Sequence, residues 1–229
     1  MKYNPDIHHR RSIRFKDYDY SRGGGYFVTV CTQGRECLFG EIKNGEMVLN
    51  AGGKMIENWW MDISKRFEGV ERDEFIVMPN HFHGIVLLVG ADRRVCPGGA
   101  DGPGELGKNV DEQDLKQGDQ GIKKGGQRIK QGGHIGPPLP KIIQWFKTMT
   151  TNEYLRNVEK FNWPPFPGRL WQRNYYEHII RSEKAVNKIR EYIFNNPLRW
   201  EFDGENPRGR VDAAEKDFWT GLALSKKGG

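Results

Sequence analysis

EFIVMPNHFHGIVLLV, residues 74–89, contains two apolar runs that are rich in β-branched side chains. A Pro-Asn pair between them is a turn-like break, so the segment predicts two short strands joined at that point. Alternate side chains of a strand share a face, which points His81 and His83 the same way and Phe82 the other way. Two imidazoles side by side on a rigid strand can form half of a metal site. The alternative interpretation of an isolated His-x-His pattern is two histidines at a strand edge whose hydrogen bonds are satisfied without a metal.

Length, charge and cysteine content limit the number of domains, the kind of partner and the cellular compartment that the sequence suits. The 229 residues suit one domain with extensions or two small domains, and the net charge of +6 suits an anionic partner, nucleic acid before anionic lipid. The three cysteines are odd in number and lack metal-type pairing, which favours a reducing cytoplasm over a disulfide framework. The polar, basic N-terminus is not a secretory signal, and no apolar run is long enough for a membrane span.

Three elements precede residues 74–89. Residues 26–32 (YFVTVCT) are predicted to form a strand, and residues 41–49 (EIKNGEMVL) form a hairpin with Asn-Gly as its turn. Asn50 then caps an amphipathic helix that runs to about Phe67. The paired tryptophans of that helix are interpreted as core residues.

Two segments are predicted to lie outside the core. Residues 90–140 are rich in Gly, Gln, Lys and Asp and nearly free of apolar side chains, which predicts a disordered insertion. Residues 1–22 interleave aromatic and basic side chains, a pattern that suits phosphates and unstacked bases or, equally, a solvated tail. The candidate DNA-binding residues are Arg10, Arg11, Arg14, Lys16 and Arg22 of this arm, together with Arg173.

The second half of the chain predicts a helix, a strand and a helix. The first helix begins near Pro140, and residues 170–181 (LWQRNYYEHIIR) are interpreted as a strand. Ser182 caps the last helix, which must stop at Pro197. The strand residues predicted to share a face are Gln172, Asn174, Tyr176, His178 and Ile180.

Without the hairpin and the insertion, the order is β-α-β-β-α-β followed by one helix. This order predicts an α+β fold of the ferredoxin-like type, an antiparallel sheet with helices on one face plus a C-terminal helix. In that last helix Tyr192 and Asn196 are four residues apart and share a face. A tyrosine in this position is ordinarily a packing residue. Pro197 also disfavours helical geometry at Asn196, so the direction of that side chain does not follow from the turn count alone.

Three motifs together carry a family resemblance. PNHFHG after an apolar strand, WQRNYYEHIIR before a helix and REYIFNNP at its end resemble the single-tyrosine HUH transposases of bacteria, and most of all the REP-associated tyrosine transposases. The resemblance covers residues 26–89 and 141–200. It implies one HUH transposase domain at 23–200, interrupted by the insertion at 90–140. The basic arm at 1–22 and the polar tail at 201–229 are predicted from composition and match the family only loosely.

The resemblance also implies an activity and its residues. His81 and His83 become the metal-binding HUH histidines, Asn196 a third metal ligand, and Tyr192 the nucleophile and catalytic residue, with Tyr175 and Tyr176 as backup candidates. The cofactor is a divalent metal, Mg²⁺ or Mn²⁺, and the substrate is single-stranded DNA with palindromic, REP-like hairpins. The implied protein is a DNA endonuclease and strand transferase with a 5′-phosphotyrosine intermediate, a monomer or homodimer, cytoplasmic and nucleoid-associated.

Two alternatives come from other classes. A non-catalytic ferredoxin-like module that binds RNA or single-stranded DNA would carry exposed aromatic residues in an RNP-type strand motif, and no such string occurs. A metallonuclease that uses bound water would not need Tyr192.

Overall fold

The computed structural model describes residues 23–89, 136–210 and 217–220. Within these ranges the strands are β1 (Gly24–Cys31), β2 (Gly40–Lys43), β3 (Glu46–Leu49), β4 (Val70–Val77), β5 (His81–Leu88) and β6 (Tyr176–Ile180). The α-helices are α1 (Ala51–Met61), α2 (Ile63–Arg66), α3 (Leu139–Phe161) and α4 (Glu183–Asn195). Two 3₁₀ helices, Gln33–Arg35 and Pro197–Phe202, and a helical turn at 217–220 complete the description. None of the described helices has the length and apolar character that a membrane crossing requires.

Four strands form one antiparallel sheet in the order β4-β5-β1-β6. With the separate β2–β3 hairpin set aside, these are the first to fourth strands of a β-α-β-β-α-β unit, arranged 2-3-1-4. The ferredoxin-like prediction is therefore confirmed. β1 and β5 are the two central strands, so side chains on them are enclosed by neighbours on both sides.

The two faces of the sheet pack against different helices. Tyr26 and Val28 of β1 and Phe82 of β5 join the larger core, which includes the apolar faces of α1 and α3. Phe27 and Ile85 point to the other face and pack against Val186, Ile189 and Ile193 of α4. The β-strand alternation thus sends β1 and β5 residues to α1 and α3 on one side and to α4 on the other.

Local sequence signals explain where the helices begin. The Asn50 side chain accepts a hydrogen bond from the Gly53 N–H at 2.9 Å and caps α1, as predicted. Ser182 accepts one from the Ala185 N–H at 3.2 Å and caps α4, also as predicted. The hairpin turn has positive φ at Asn44 (53°) and Gly45 (80°), the conformation for which Asn-Gly is favoured.

The strand predicted for residues 170–181 is wrong in its first half. Regular pairing covers only Tyr176–Ile180, and Trp171 makes an isolated bridge to Thr32. The carbonyls of Gln172 and Arg173 accept hydrogen bonds from the Lys147 ammonium instead of from a neighbouring strand. A side chain of α3 has therefore taken the acceptors that a strand would have used.

Other predicted segments lie wholly or partly outside the described residues. These are the arm at 1–22 and, within the insertion, residues 90–135. Helix α3 begins at Leu139, inside the predicted insertion, and Leu139 itself is buried. Of the predicted tail, residues 201–210 and 217–220 are described, and residues 211–216 and 221–229 are not.

Gly84 generates the first testable prediction. A Cβ atom at this position of β5 would lie 2.5 Å from Cζ2 of Trp60 and 2.8 Å from the Phe82 ring. The indole of Trp60 is fully buried, so it has no room to move away. We expect Gly84→Ala to lower the free energy of unfolding by about 1–3 kcal/mol through overpacking, measured by urea denaturation.

Gly24→Ala is the matched control. Gly24 lies in the neighbouring strand β1, and an added Cβ would meet only the Tyr26 ring, at 4.0 Å. A change of less than about 0.5 kcal/mol is expected there. Equal effects of the two substitutions would contradict the packing of Trp60 against Gly84.

Candidate metal and nucleophile site

His81 and His83 lie at the start of β5, on the face of the sheet that packs against α4. Both are buried, with relative exposures of 0% and 3%. Their Nε2 atoms face each other at 3.0 Å and the ring centroids are 4.4 Å apart. The predicted shared orientation of the two imidazoles is present in the structure.

Each histidine is held through its other ring nitrogen. Nδ1 of His81 is 2.9 Å from Oδ1 of Asn80, and Nδ1 of His83 is 2.8 Å from Oγ1 of Thr29. An amide oxygen can only accept, so His81 donates from Nδ1 and its Nε2 carries a lone pair. Burial lowers the pKa of His81 to about 3; burial and then the neighbouring His81 lower that of His83. Both rings are therefore neutral, the state that binds a metal.

Asp203 places a carboxylate beside the two facing Nε2 atoms. Its Oδ2 lies 3.6 Å from Nε2 of His81, and the ligand atoms of His81, His83 and Asp203 all lie within 4.8 Å of one another. The Glu205 N–H donates to Oδ1 of Asp203 at 2.6 Å, whereas Oδ2 is buried and has no hydrogen-bond partner in the described structure. Burial raises the pKa of this carboxyl, and the Glu205 N–H opposes that rise.

This donor set fits a divalent cation. Ligands about 2.1 Å from an ion and at right angles to each other are about 3.0 Å apart, which matches the separation of the two Nε2 atoms. Imidazole nitrogens with one carboxylate oxygen suit the first-row divalent ions. A cation would also satisfy the unpartnered Oδ2 of Asp203. The three residues can therefore hold a metal ion.

Asn196 lies beside this group. It keeps helical backbone angles (φ −59°, ψ −42°) although Pro197 follows, because the chain continues directly into the 3₁₀ helix Pro197–Phe202. Its side chain is buried and hydrogen-bonded to Asp203, and its Oδ1 has no hydrogen-bond partner among the described atoms. The role of Asn196 as a metal ligand stays a prediction, with Asp203 as a further candidate.

Tyr192 projects from α4 towards the histidines. Its ring centroid lies 5.4 Å from that of His83 and 6.0 Å from that of Phe27. Phe218 stacks on the tyrosine ring, with the two ring centroids 5.2 Å apart. The ring is only partly buried, so it touches both the metal-binding candidates and the space in front of them.

An ion pair between Arg190 and Asp73 fixes the position of α4 along the sheet and tethers the helix to it. The Arg190 guanidinium donates from Nε to Oδ1 of Asp73 at 2.9 Å and from Nη2 to Oδ2 at 2.6 Å. This fork joins the helix to β4, and Ile189 and Ile193 are buried against the sheet. Sliding α4 by one turn would break both contacts, so the position of Tyr192 is well determined.

A cavity of about 290 Å³ opens beside His83 and Tyr192. It is the space in which a reacting group would meet both side chains. Its lining comes from β1, β5, β6, α4, the segment after the 3₁₀ helix and the 217–220 turn: Phe27, Thr29, His83, Tyr176, Glu177, His178, Tyr192, Asp203, Gly204, Glu205 and Trp219.

The remaining sequence candidates are placed differently. Tyr175 is buried in the α1–α3 core, whereas Tyr176 is 57% exposed and lines the cavity. Arg173 lines a separate groove beside α3. The other DNA-binding candidates, Arg10, Arg11, Arg14, Lys16 and Arg22, lie outside the described residues.

Sequence reasoning missed three residues of the site. Asn80 and Thr29 were detectable, since Asn80 precedes the histidine pair and Thr29 shares a strand face with Phe27. Asp203 carried no local signal, because it lies in a polar stretch that the 3₁₀ helix folds back onto β5.

The chain is similar over most of its length to several known proteins. No protein-family model matches it. A solved REP-associated tyrosine transposase bound to a REP hairpin aligns with a TM-score of 0.46 at 16% identity, over 92% of this chain and 88% of that one. A Deinococcus radiodurans R1 protein aligns with a TM-score of 0.38 at 15% identity, over 80% and 97% of the two chains.

In sequence, an uncharacterized protein of Haemophilus influenzae (strain Rd) is 40% identical over 202 residues, which cover 88% of this chain and 96% of that protein. Identity at this level over almost the full length of both proteins reflects a common fold and descent. The chain belongs to the same protein family as this Haemophilus influenzae protein.

Proposed function

We propose that this protein is a metal-dependent endonuclease and strand transferase for single-stranded DNA, a transposase that acts through Tyr192. One observation carries the proposal: a tyrosine on a tethered helix lies against one of two buried histidines whose Nε2 atoms converge with a carboxylate. The three sequence motifs that resemble single-tyrosine HUH transposases contain this tyrosine and these histidines.

Tyr192 acts as the nucleophile in this proposal. Its phenol oxygen forms a bond to the phosphorus, the bond from phosphorus to the 3′-oxygen breaks, and the released 3′-oxygen takes up a proton while the phenol loses one. The product is a 5′-phosphotyrosine and a free 3′-hydroxyl. Because a phenolate is also a good leaving group, another 3′-hydroxyl can reverse the step and join two strands without water or ATP.

His81, His83 and Asp203 would hold a divalent cation at the reacting phosphate. A divalent ion, Mg²⁺ or Mn²⁺, when bound supplies positive charge that stabilises the phosphate and the departing oxygen. Asn80 and Thr29 orient the two rings so that their Nε2 atoms converge, where they would both ligate the cation. Asp203 contributes the oxygen ligand favoured by these metals, and Asn196 lies within reach of Asp203 as a further one.

The proposed substrate follows from the family resemblance and the charge. Single-stranded DNA beside a palindromic, REP-like hairpin is the substrate that the motifs imply, and a net charge of +6 favours a polyanion. A water-using metallonuclease is the second candidate, because the His81–His83–Asp203 group is complete without the tyrosine. The fate of the cleaved 5′ end separates the two functions.

Tyr192→Phe tests the nucleophile. The change removes one oxygen from a partly buried ring, so fold and DNA affinity should remain, while the covalent adduct falls by on the order of 10³-fold or more. The assay incubates the full chain with Mn²⁺ and a labelled hairpin oligonucleotide with single-stranded flanks, and detects an SDS-resistant, protease-sensitive adduct.

Tyr176→Phe is the matched control, since Tyr176 lines the same cavity and is more exposed. It should form the adduct like the wild type. Cleavage without an adduct in Tyr192→Phe would favour the water-using nuclease, and loss of the adduct only in Tyr176→Phe would reassign the nucleophile.

His83→Ala tests the metal ligands in catalysis. We expect cleavage to be lost, as in wild-type protein treated with EDTA, while affinity for the same oligonucleotide changes little because cationic contacts to phosphates supply most of it. Circular dichroism verifies the fold. Cleavage at the wild-type rate by His81→Ala/His83→Ala protein would remove the metal from the mechanism.

Asp203→Asn tests metal binding without reference to activity. Burial raises the pKa of Asp203, so the ionised carboxylate is costly in the metal-free protein and its removal should not lower the melting temperature. Bound metal stabilises the wild type, by about 2.7 kcal/mol at 100 times Kd, and most of this gain should vanish in the variant.

Asp62→Asn is the control for that experiment, because Asp62 is an exposed carboxylate that pairs with Lys65 away from the site. The measurement is a thermal melt with and without Mn²⁺. An undiminished Mn²⁺ effect in Asp203→Asn would exclude Asp203 as a ligand and leave Asn196 as the third candidate.

A further inference from the structure

A second, larger groove lies between α3 and residues 168–175. Its volume is about 770 Å³, and it is open to solvent. One wall is the N-terminal half of α3 and the other is the irregular segment that leads into β6.

All the charged side chains that line this groove are positive. Its described lining contains four cationic residues, Lys141, Lys147, Arg169 and Arg173, and no acidic one. The whole chain has 36 basic and 30 acidic residues, so a surface of average composition would carry both signs. The remaining wall positions include exposed amides and a hydroxyl, namely Gln144, Asn152, Asn174 and Thr148. Such a wall suits phosphate oxygens and base edges better than an apolar peptide.

Lys147 is a fixed cation in the floor of the groove. Its ammonium donates to the carbonyl oxygens of Gln172 at 2.6 Å and Arg173 at 3.1 Å. Burial, and to a lesser extent the nearby Arg169, lower its pKa to about 8. Two of the three N–H donors are used, which leaves one for an anion in the groove. The anion would also relieve the repulsion between Lys147 and Arg169.

The groove reaches the end of the sheet that carries the Tyr192 site, on the face covered by α3 rather than α4. Tyr175 lines the groove, and the next residue, Tyr176, lines the cavity beside Tyr192. The groove wall is joined to the end of β1 by the Gln172 N–H, which donates to the Cys31 carbonyl at 2.9 Å. Cys31 is the β1 partner of His81 in the sheet. Groove and histidines therefore lie at the same end of the sheet.

We propose that this groove binds the phosphodiester backbone of single-stranded DNA that flanks the cleaved position, and so guides the strand to Tyr192. The inference rests on the proposed function for the identity of the strand. The cationic groove supplies sequence-independent affinity, and its open walls accept unpaired bases.

A binding experiment tests the groove without cleavage. The full chain in EDTA is titrated against a fluorescein-labelled DNA hairpin with 10-nucleotide single-stranded flanks, and anisotropy is measured from 50 to 300 mM NaCl. Each phosphate contact to a single strand contributes about 0.7 to the slope of log affinity against log salt. The triple groove variant, Lys141→Gln/Arg169→Gln/Arg173→Gln, should therefore reduce that slope by about 2. The single variant Arg173→Gln should reduce it by about 0.7.

A triple variant with the same change of charge is the control. Lys54, Arg156 and Lys160 are exposed and do not line the groove, so their replacement by Gln should change the slope by less than about half as much. A hairpin without flanks is the second probe, and it should bind wild-type and groove-variant protein alike. The groove assignment is wrong if both triple variants lose the same amount of salt slope. It is also wrong if the groove variant loses affinity for the hairpin without flanks.

The two proposals fail separately. If wild-type protein forms the Tyr192 adduct but the groove variants bind flanked DNA like the control, the groove assignment is wrong and the enzymatic function stands. If the groove variants lose the flank-dependent binding but wild-type protein forms no Tyr192 adduct, the groove binds DNA and the enzymatic proposal is wrong.

Discussion

Two buried imidazole nitrogens face each other at 3.0 Å, and the arrangement of the candidate site depends on that contact. The Nδ1 of His81 must donate to the Asn80 amide oxygen, so a lone pair of this ring faces the second ring. Burial keeps both rings neutral by lowering their pKa values, so in the metal-free protein the His83 Nε2–H can donate to that lone pair. A divalent cation would take the place of the proton that the two nitrogens share. The fold therefore holds both donors in the separation that a metal requires.

The central position of β5 makes this arrangement rigid. Neighbouring strands pair with β5 on both sides, and the alternation that turns His81 and His83 towards α4 turns Phe82 into the opposite core. Phe82 packs on Trp60 at 4.4 Å between ring centroids, so the histidines are anchored by a large apolar contact beneath them. A shift of one residue in the register would place Phe82 in the polar site and the histidines in the core. The hydrophobic core thus fixes the register of the site.

Sequence patterns were sufficient for the features that depend on neighbours in the chain. The shared face of the two histidines followed from strand alternation, and the ferredoxin-like type of fold followed from the succession of elements. The caps of α1 and α4 followed from Asn50 and Ser182. Patterns failed where distant side chains decide the backbone, as at residues 170–175, whose carbonyls are held by Lys147 of α3. Asp203 was missed for the same reason, since only the turn of the chain after α4 brings it to His81.

The electrostatics of the site favour the carboxylate that sequence reasoning missed. Two neutral imidazoles and a neutral amide would leave a divalent ion with its full charge of +2 in a buried, weakly polarisable environment, where an uncompensated charge is costly. With Asp203 the group carries one negative charge, so a bound divalent ion leaves a net charge of +1. That residual charge still attracts an anionic phosphate. Asn196 then has a second role that its position supports: its hydrogen bond to Asp203 orients the carboxylate and stabilises its ionised form against the penalty of burial. The amide and the carboxylate act together, and the helix that carries Tyr192 also carries the residue that positions Asp203.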